Sequence, residues 1–117
     1  MNGYAGKILF VDLTSGKIEK KPLDESFAKE NIGGLGFGTR FFLDAIKENP
    51  EFDALSPDNP FVLMTGPLTG MVMDGVARWT VCSKSPLTGF YGDANAGGHL
   101  GANLKFAGYD GIVITGA

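Results

Sequence analysis

A chain of 117 residues, 44% of them hydrophobic and nine of them Phe, is one domain or a piece of one and can bury a core. Its net charge of −3 argues against a nucleic-acid footprint, which needs a basic surface. One cysteine, Cys82, rules out an intrachain disulfide and four-cysteine ligation of an iron–sulfur cluster. Apolar runs fall far short of the ~20 residues that span a bilayer. No charged-then-apolar leader opens the sequence, so it reads as a cytoplasmic protein that binds neither nucleic acid nor membrane. Glycine is abundant, 18 residues, but without a Gly-X-Y period, so it signals turns and close backbone approach.

Lys7 to Leu13 is apolar and strand-like, Thr14-Ser15-Gly16 is a turn, and Lys17 to Lys21 continues with mixed polarity. The pattern predicts a β-hairpin with a partly exposed second strand. Lys17, Lys20 and Lys21 blunt that edge. Asp24 is placed to cap a short helix, with Leu23 stapled to Ala28 and a stop at Gly33-Gly34. Gly36 to Asn49 reads as a second helix, with Phe42 and Ile46 on one face and Pro50 beyond its end. The run Gly33-Gly34-Leu35-Gly36-Phe37-Gly38 superficially matches a dinucleotide fingerprint. It follows a helix instead of a strand, and no βαβ unit surrounds it.

Phe61 to Met64 is a buried strand, and Gly66-Pro67-Leu68-Thr69-Gly70 is a turn. Met71 to Ala77 connects it to a strand beginning at Trp79-Thr80-Val81-Cys82. Pro-Leu-Thr-Gly then recurs from Pro86, as a second turn. Asp93 to Gly98 holds only small residues and reads as a loop before a helix carrying Leu100, Leu104 and Ala107, stopped by Gly108. Asp110 to Thr115 is a last strand. Irregular alternation with early hairpins favours α+β over a doubly wound fold.

Little here suggests acid–base or nucleophilic chemistry. His99 has no evident carboxylate or serine partner, and no second His or Cys at zinc-ligand spacing. Asp93 and Asn95 are of the type that shapes turns. Cys82 reads as a small core hydrophobe. A small-residue loop before a helix can be a phosphate cradle or a tight turn. Arg78, at the head of a strand, can reach a phosphate or planar heterocycle, or be solvated at the rim. Pattern leaves both choices open.

The wording of these segments resembles one family. Gly3-Tyr4-Ala5-Gly6-Lys7-Ile8-Leu9, Gly66-Pro67-Leu68-Thr69-Gly70, Ser85-Pro86-Leu87-Thr88-Gly89-Phe90, Asn95-Ala96-Gly97-Gly98 and Lys105-Phe106-Ala107-Gly108-Tyr109-Asp110 look like the N-terminal domain of tungsten-containing aldehyde:ferredoxin oxidoreductases, in the family's order and over the whole chain. The resemblance implies α+β, mainly antiparallel sheets in two similar halves with packed helices. It makes residues 1–117 an incomplete tungstopterin-binding domain. It implies a tungsten (or molybdenum) bis-pterin cofactor of the molybdopterin type, bridged by magnesium, and a 4Fe-4S cluster ligated in later domains along with the catalytic acid and histidine. The complete enzyme would oxidise an aldehyde to a carboxylic acid and pass electrons to ferredoxin. This chain alone would be inactive. The remaining domains of the enzyme, ferredoxin and a homo-oligomer are the implied partners.

Three site residues carry over. Arg78, six residues before Lys84, matches the arginine that contacts the pterin. Asn95 matches the magnesium ligand, and Gly97 a pterin contact. Family members often carry glycines before the arginine where this chain has Gly75-Val76-Ala77, a departure that leaves the local backbone path open but not the arginine itself. The rival reading is a stand-alone phosphate- or nucleotide-binding module, or an interaction module, that kept the fold without the redox role.

Overall fold

Alternation of side chains along the strands divides one sheet into a helix-covered face and an open one. The computed structural model describes residues 2–116. Its strands are β1 (Lys7–Asp12), β2 (Lys17–Pro22), β3 (Phe61–Thr65), β4 (Trp79–Lys84), β5 (Tyr91–Ala96) and β6 (Gly111–Thr115). Its helices are α1 (Glu25–Asn31), α2 (Leu35–Ile46) and α3 (Leu100–Phe106). All six strands form one sheet in the order β2-β1-β6-β3-β4-β5, antiparallel throughout except for β1 beside β6. The expected α+β class and its antiparallel bias hold, within one continuous mixed sheet. The chain's last strand is inserted between β1 and β3, so β6 joins the first hairpin to the β3-β4-β5 meander.

The hairpin forms where predicted, with Ile8 paired to Lys21 and Val11 to Ile18. Asp24 caps α1 by accepting the Phe27 N–H at 3.0 Å. The helix stop falls one residue earlier than predicted, at Ile32. Ile8, Val62, Met64, Cys82 and Val113 project from the sheet into a core closed by Ala28 of α1 and Phe37 and Phe42 of α2. Phe27 packs tilted against Phe37 and Phe41, with ring centroids 5.2 and 5.0 Å apart.

The glycine run of α2 owes its composition to packing. A Cβ at Gly38 would collide with Cys82 Sγ of β4, and one at Gly36 with the Asn31 carbonyl. Small residues therefore let α2 lie close on β4 and directly after α1. Gly38→Ala should destabilise the fold by about 1–3 kcal/mol through overpacking. Adding Cys82→Ala should recover part of that loss, since the two sites share one space. Urea unfolding of both variants and of Cys82→Ala tests this; strictly additive losses would contradict it.

Two expectations about the second half are corrected. Asp93 to Ala96 belong to strand β5 and are not a loop; the loop is Gly97 to His99 alone. These residues have low β-propensity, but pairing with β4, Thr80 opposite Asn95 and Cys82 opposite Asp93, overrides it. The following helix has seven residues and no side-chain cap at His99, so it offers no anion site of its own. Gly108, at φ +96°, stops it as predicted.

Asp110 ties four segments together just before β6. Its carboxylate accepts the N–H groups of Ala5 and Gly6 at 2.8 and 2.7 Å and pairs with Lys105 Nζ at 2.9 Å. Its carbonyl accepts the Thr65 N–H and hydroxyl, and its N–H donates to Lys7. The motif ending Gly108-Tyr109-Asp110 is thus a structural clamp. On the face away from α2, Leu9, Val11, Ile112 and Ile114 are half-buried and Phe61 is exposed. Among the described residues, no helix is long and apolar enough to cross a membrane.

Candidate functional site

The strand end marked by Thr65, Trp79 and Ala96 brings the three predicted residues to one corner. Arg78 immediately precedes β4. Asn95 and Ala96 close β5, with Ala96 opposite Trp79, so Gly97 follows at the edge beside Arg78. All three are exposed. The Arg78 guanidinium has no ion-pair or hydrogen-bond partner among the described residues, whereas Arg40 pairs with Asp44.

Each of the three is anchored from behind. Thr69 donates its hydroxyl to the Arg78 carbonyl at 3.2 Å and accepts the Gly66 N–H at 3.0 Å. The Trp79 indole N–H donates to the Gly97 carbonyl at 3.2 Å. The Thr80 hydroxyl donates to Asn95 Oδ1 at 2.6 Å. Asn95 is extended, in a strand, so its tolerance for left-handed backbone plays no part; Ile32 is the only non-glycine residue with positive φ among those described. A Cβ at Gly97 would meet nothing within 4 Å, so this position faces open space.

Beside the corner runs a cleft of about 520 Å3, lined by Met71, Val72, Met73, His99 and Phe106, with Ala77 and Gly98 at its margin. A hollow of about 480 Å3 lies at the opposite strand ends, near Asp12, Glu48 and Asp58. There the Ser15 hydroxyl and Thr14 N–H already engage Asp12 and hold its carboxyl below the usual range. Among the described residues, no group of three His, Cys, Asp or Glu side chains could hold a metal ion. Burial pushes the Cys82 thiol up, and desolvation together with that thiol pushes Tyr91 up to about 12. Both stay protonated near neutral pH and are poor nucleophiles or bases.

Thr69 was not legible as a site residue. The signal lay in the repeated Pro-Leu-Thr-Gly string, whose two copies behave differently. Thr69 is buried and bonded to Arg78, while Thr88 is exposed and accepts only the Phe90 N–H within its own turn.

A family model described as aldehyde ferredoxin oxidoreductase, N-terminal domain, matches residues 8–117. The chain belongs to this family. Across 116 residues it is 48% identical to the tungsten-containing aldehyde ferredoxin oxidoreductase of Pyrococcus abyssi and 43% to that of Pyrococcus furiosus. It is also 38% identical to the WOR-like subunit of an aliphatic sulfonate oxidoreductase of Pyrococcus furiosus. Each match covers 99% of this chain but only 18–19% of the relative, so the chain spans about a fifth of their length. A solved structure of the benzoyl coenzyme A reductase active-site complex BamBC superimposes with a TM-score of 0.92 and 34% identity, covering 98% of this chain and 17% of that one. As an aldehyde ferredoxin oxidoreductase N-terminal domain, the chain shares its fold with oxidoreductases whose names indicate different substrates.

Proposed function

We propose that this domain is the pterin-facing platform of a tungsten aldehyde:ferredoxin oxidoreductase. Membership of the family supports a tungsten–pterin cofactor. The observation that carries the reading is the convergence of an unpaired, exposed arginine with Asn95 and Gly97 at one strand end. The donor set fits the group. A guanidinium binds phosphate oxygens through charge-assisted bonds. Asparagine and main-chain oxygens suit a hard cation such as magnesium. An unobstructed Gly97 lets a planar ring approach the backbone.

When bound, the tungsten–pterin group supplies the redox chemistry that converts aldehyde to carboxylic acid, with electrons leaving for ferredoxin through a 4Fe-4S cluster in other domains. The chain's own residues bind and orient. Arg78 would neutralise phosphate charge, Asn95 would offer oxygen to magnesium, and Gly97 would leave room for the pterin. Residues 1–117 alone are inactive on this reading. The half-buried face around Leu9, Ile112 and Phe61 meets the remaining domains of the same cytoplasmic enzyme.

Arg78→Ala in the full-length enzyme should lose bonds to a charged group, each worth about 1.5–3 kcal/mol. Cofactor retention should fall roughly ten- to a hundredfold, as 1.4 kcal/mol is tenfold. Lysine should rescue part of this, because it keeps the charge but lacks the planar fork. Tungsten per protein in wild type, Arg78→Ala and Arg78→Lys measures the effect. Equal metal content and activity in all three would remove Arg78 from the site.

A further inference from the structure

Arg78 stands outside the β4 ladder, at the end of a segment, residues 71–78, that contains no helix or strand. Its placement therefore depends on what holds its main chain. That hold is the Thr69 hydroxyl, which links the Gly66 N–H to the Arg78 carbonyl. Thr69 is buried, and its methyl lies where a Cβ at Gly101 would approach to 2.9 Å, so α3 presses the threonine into place. On the neighbouring strand pair, buried Thr80 donates to Asn95 Oδ1 and so holds a side chain where Thr69 holds a main chain.

We propose that Thr69 is a positioning residue for Arg78, and Thr80 for Asn95. One buried hydroxyl fixes the main chain from which the guanidinium extends, and the other fixes the asparagine side chain, where the two residues would meet the pterin phosphates and their magnesium. This rests on the pterin-site reading above. Neither threonine touches the cofactor. Thr69 acts by removing main-chain conformers at Arg78 and Thr80 by removing side-chain conformers at Asn95, so that less ordering entropy is lost on binding.

The test uses the full-length enzyme, with Thr69→Val, Thr69→Ser, Thr80→Val, Thr80→Ser and Arg78→Ala beside wild type. Valine keeps the shape and removes the hydroxyl; serine keeps the hydroxyl. The readouts are tungsten per protein, the rate of tungsten loss on dialysis, and thermal melting of the cofactor-free enzyme. Each valine variant should retain cofactor roughly fivefold less well, the loss of about one hydrogen bond. Each serine variant should return to within about twofold of wild type. The cofactor-free melts of each Val and Ser pair should not track the retention.

If Arg78→Ala loses tungsten while both valine variants hold it like wild type, positioning is overturned and the site reading stands. If serine loses as much as valine, the hydroxyl alone does not restore retention and the loss is not specific to its hydrogen bond, which also overturns it. If Arg78→Ala itself retains tungsten, the site reading fails first. Should Thr69→Val not accumulate, the Thr80 pair decides by the same criteria.

Discussion

Asp110→Ala is expected to lower the stability of residues 1–117 by about 3–5 kcal/mol, the cost of breaking a buried ion pair from one side. Asp110 is 1% exposed and the Lys105 side chain 9%, so neither charge is screened as a surface pair would be. The variant strands the Lys105 ammonium and leaves the N–H groups of Ala5 and Gly6 without their acceptor. Lys105 keeps a bond to the Gly3 carbonyl at 2.7 Å, which does not neutralise its charge. Adding Lys105→Met should recover part of the loss, because it removes the uncompensated charge. Urea unfolding followed by circular dichroism measures both. A loss below about 1 kcal/mol, or a double variant no more stable than the single one, would show that the clamp is not the anchor of the N-terminal loop.

Phe37→Ala should cost a similar amount, about 3–5 kcal/mol, by a different mechanism. Phe37 is fully buried and sits among Tyr4, Phe27 and Phe41, with centroids 6.0, 5.2 and 6.4 Å away. Those rings belong to the N-terminal loop and both first helices, so the cavity cannot close by moving one element. Phe37→Leu, which keeps most of the volume, should cost clearly less. Equal losses for alanine and leucine would mean that ring stacking outweighs volume filling here. A shift in midpoint with an unchanged denaturant slope is expected for both, since the folded surface is preserved.

Much of the candidate site was legible because its residues come with strong local wording. Arg78, Asn95 and Gly97 were named through the resemblance to the family, where pattern alone left the choices open, and the structure brings all three to one strand end. What carried them there was not legible. Gly92-Asp93-Ala94-Asn95-Ala96 contains no β-branched or aromatic residue, so local propensity points to a loop. It becomes a strand only through pairing with β4. The seven-residue helix behind it likewise proved too short for the anion-binding role that its glycine-rich approach suggested.

Local chemistry alone accounts for the hairpin, the Asp24 cap, the amphipathic α2 and the buried β3. In each, periodicity, capping or turn residues act over a few positions, so the signal lies within the element. The insertion of β6 between β1 and β3 depends on pairings far apart in sequence, such as Ile8 with Gly111. The same holds for Asp110 receiving Ala5, for Gly38 yielding space to Cys82, and for Thr69 holding Arg78. A buried hydrogen bond or a missing Cβ has meaning only once its distant partner is in place. The corner that gathers Arg78, Asn95 and Gly97 is therefore assembled by long-range contacts that no window of the chain contains.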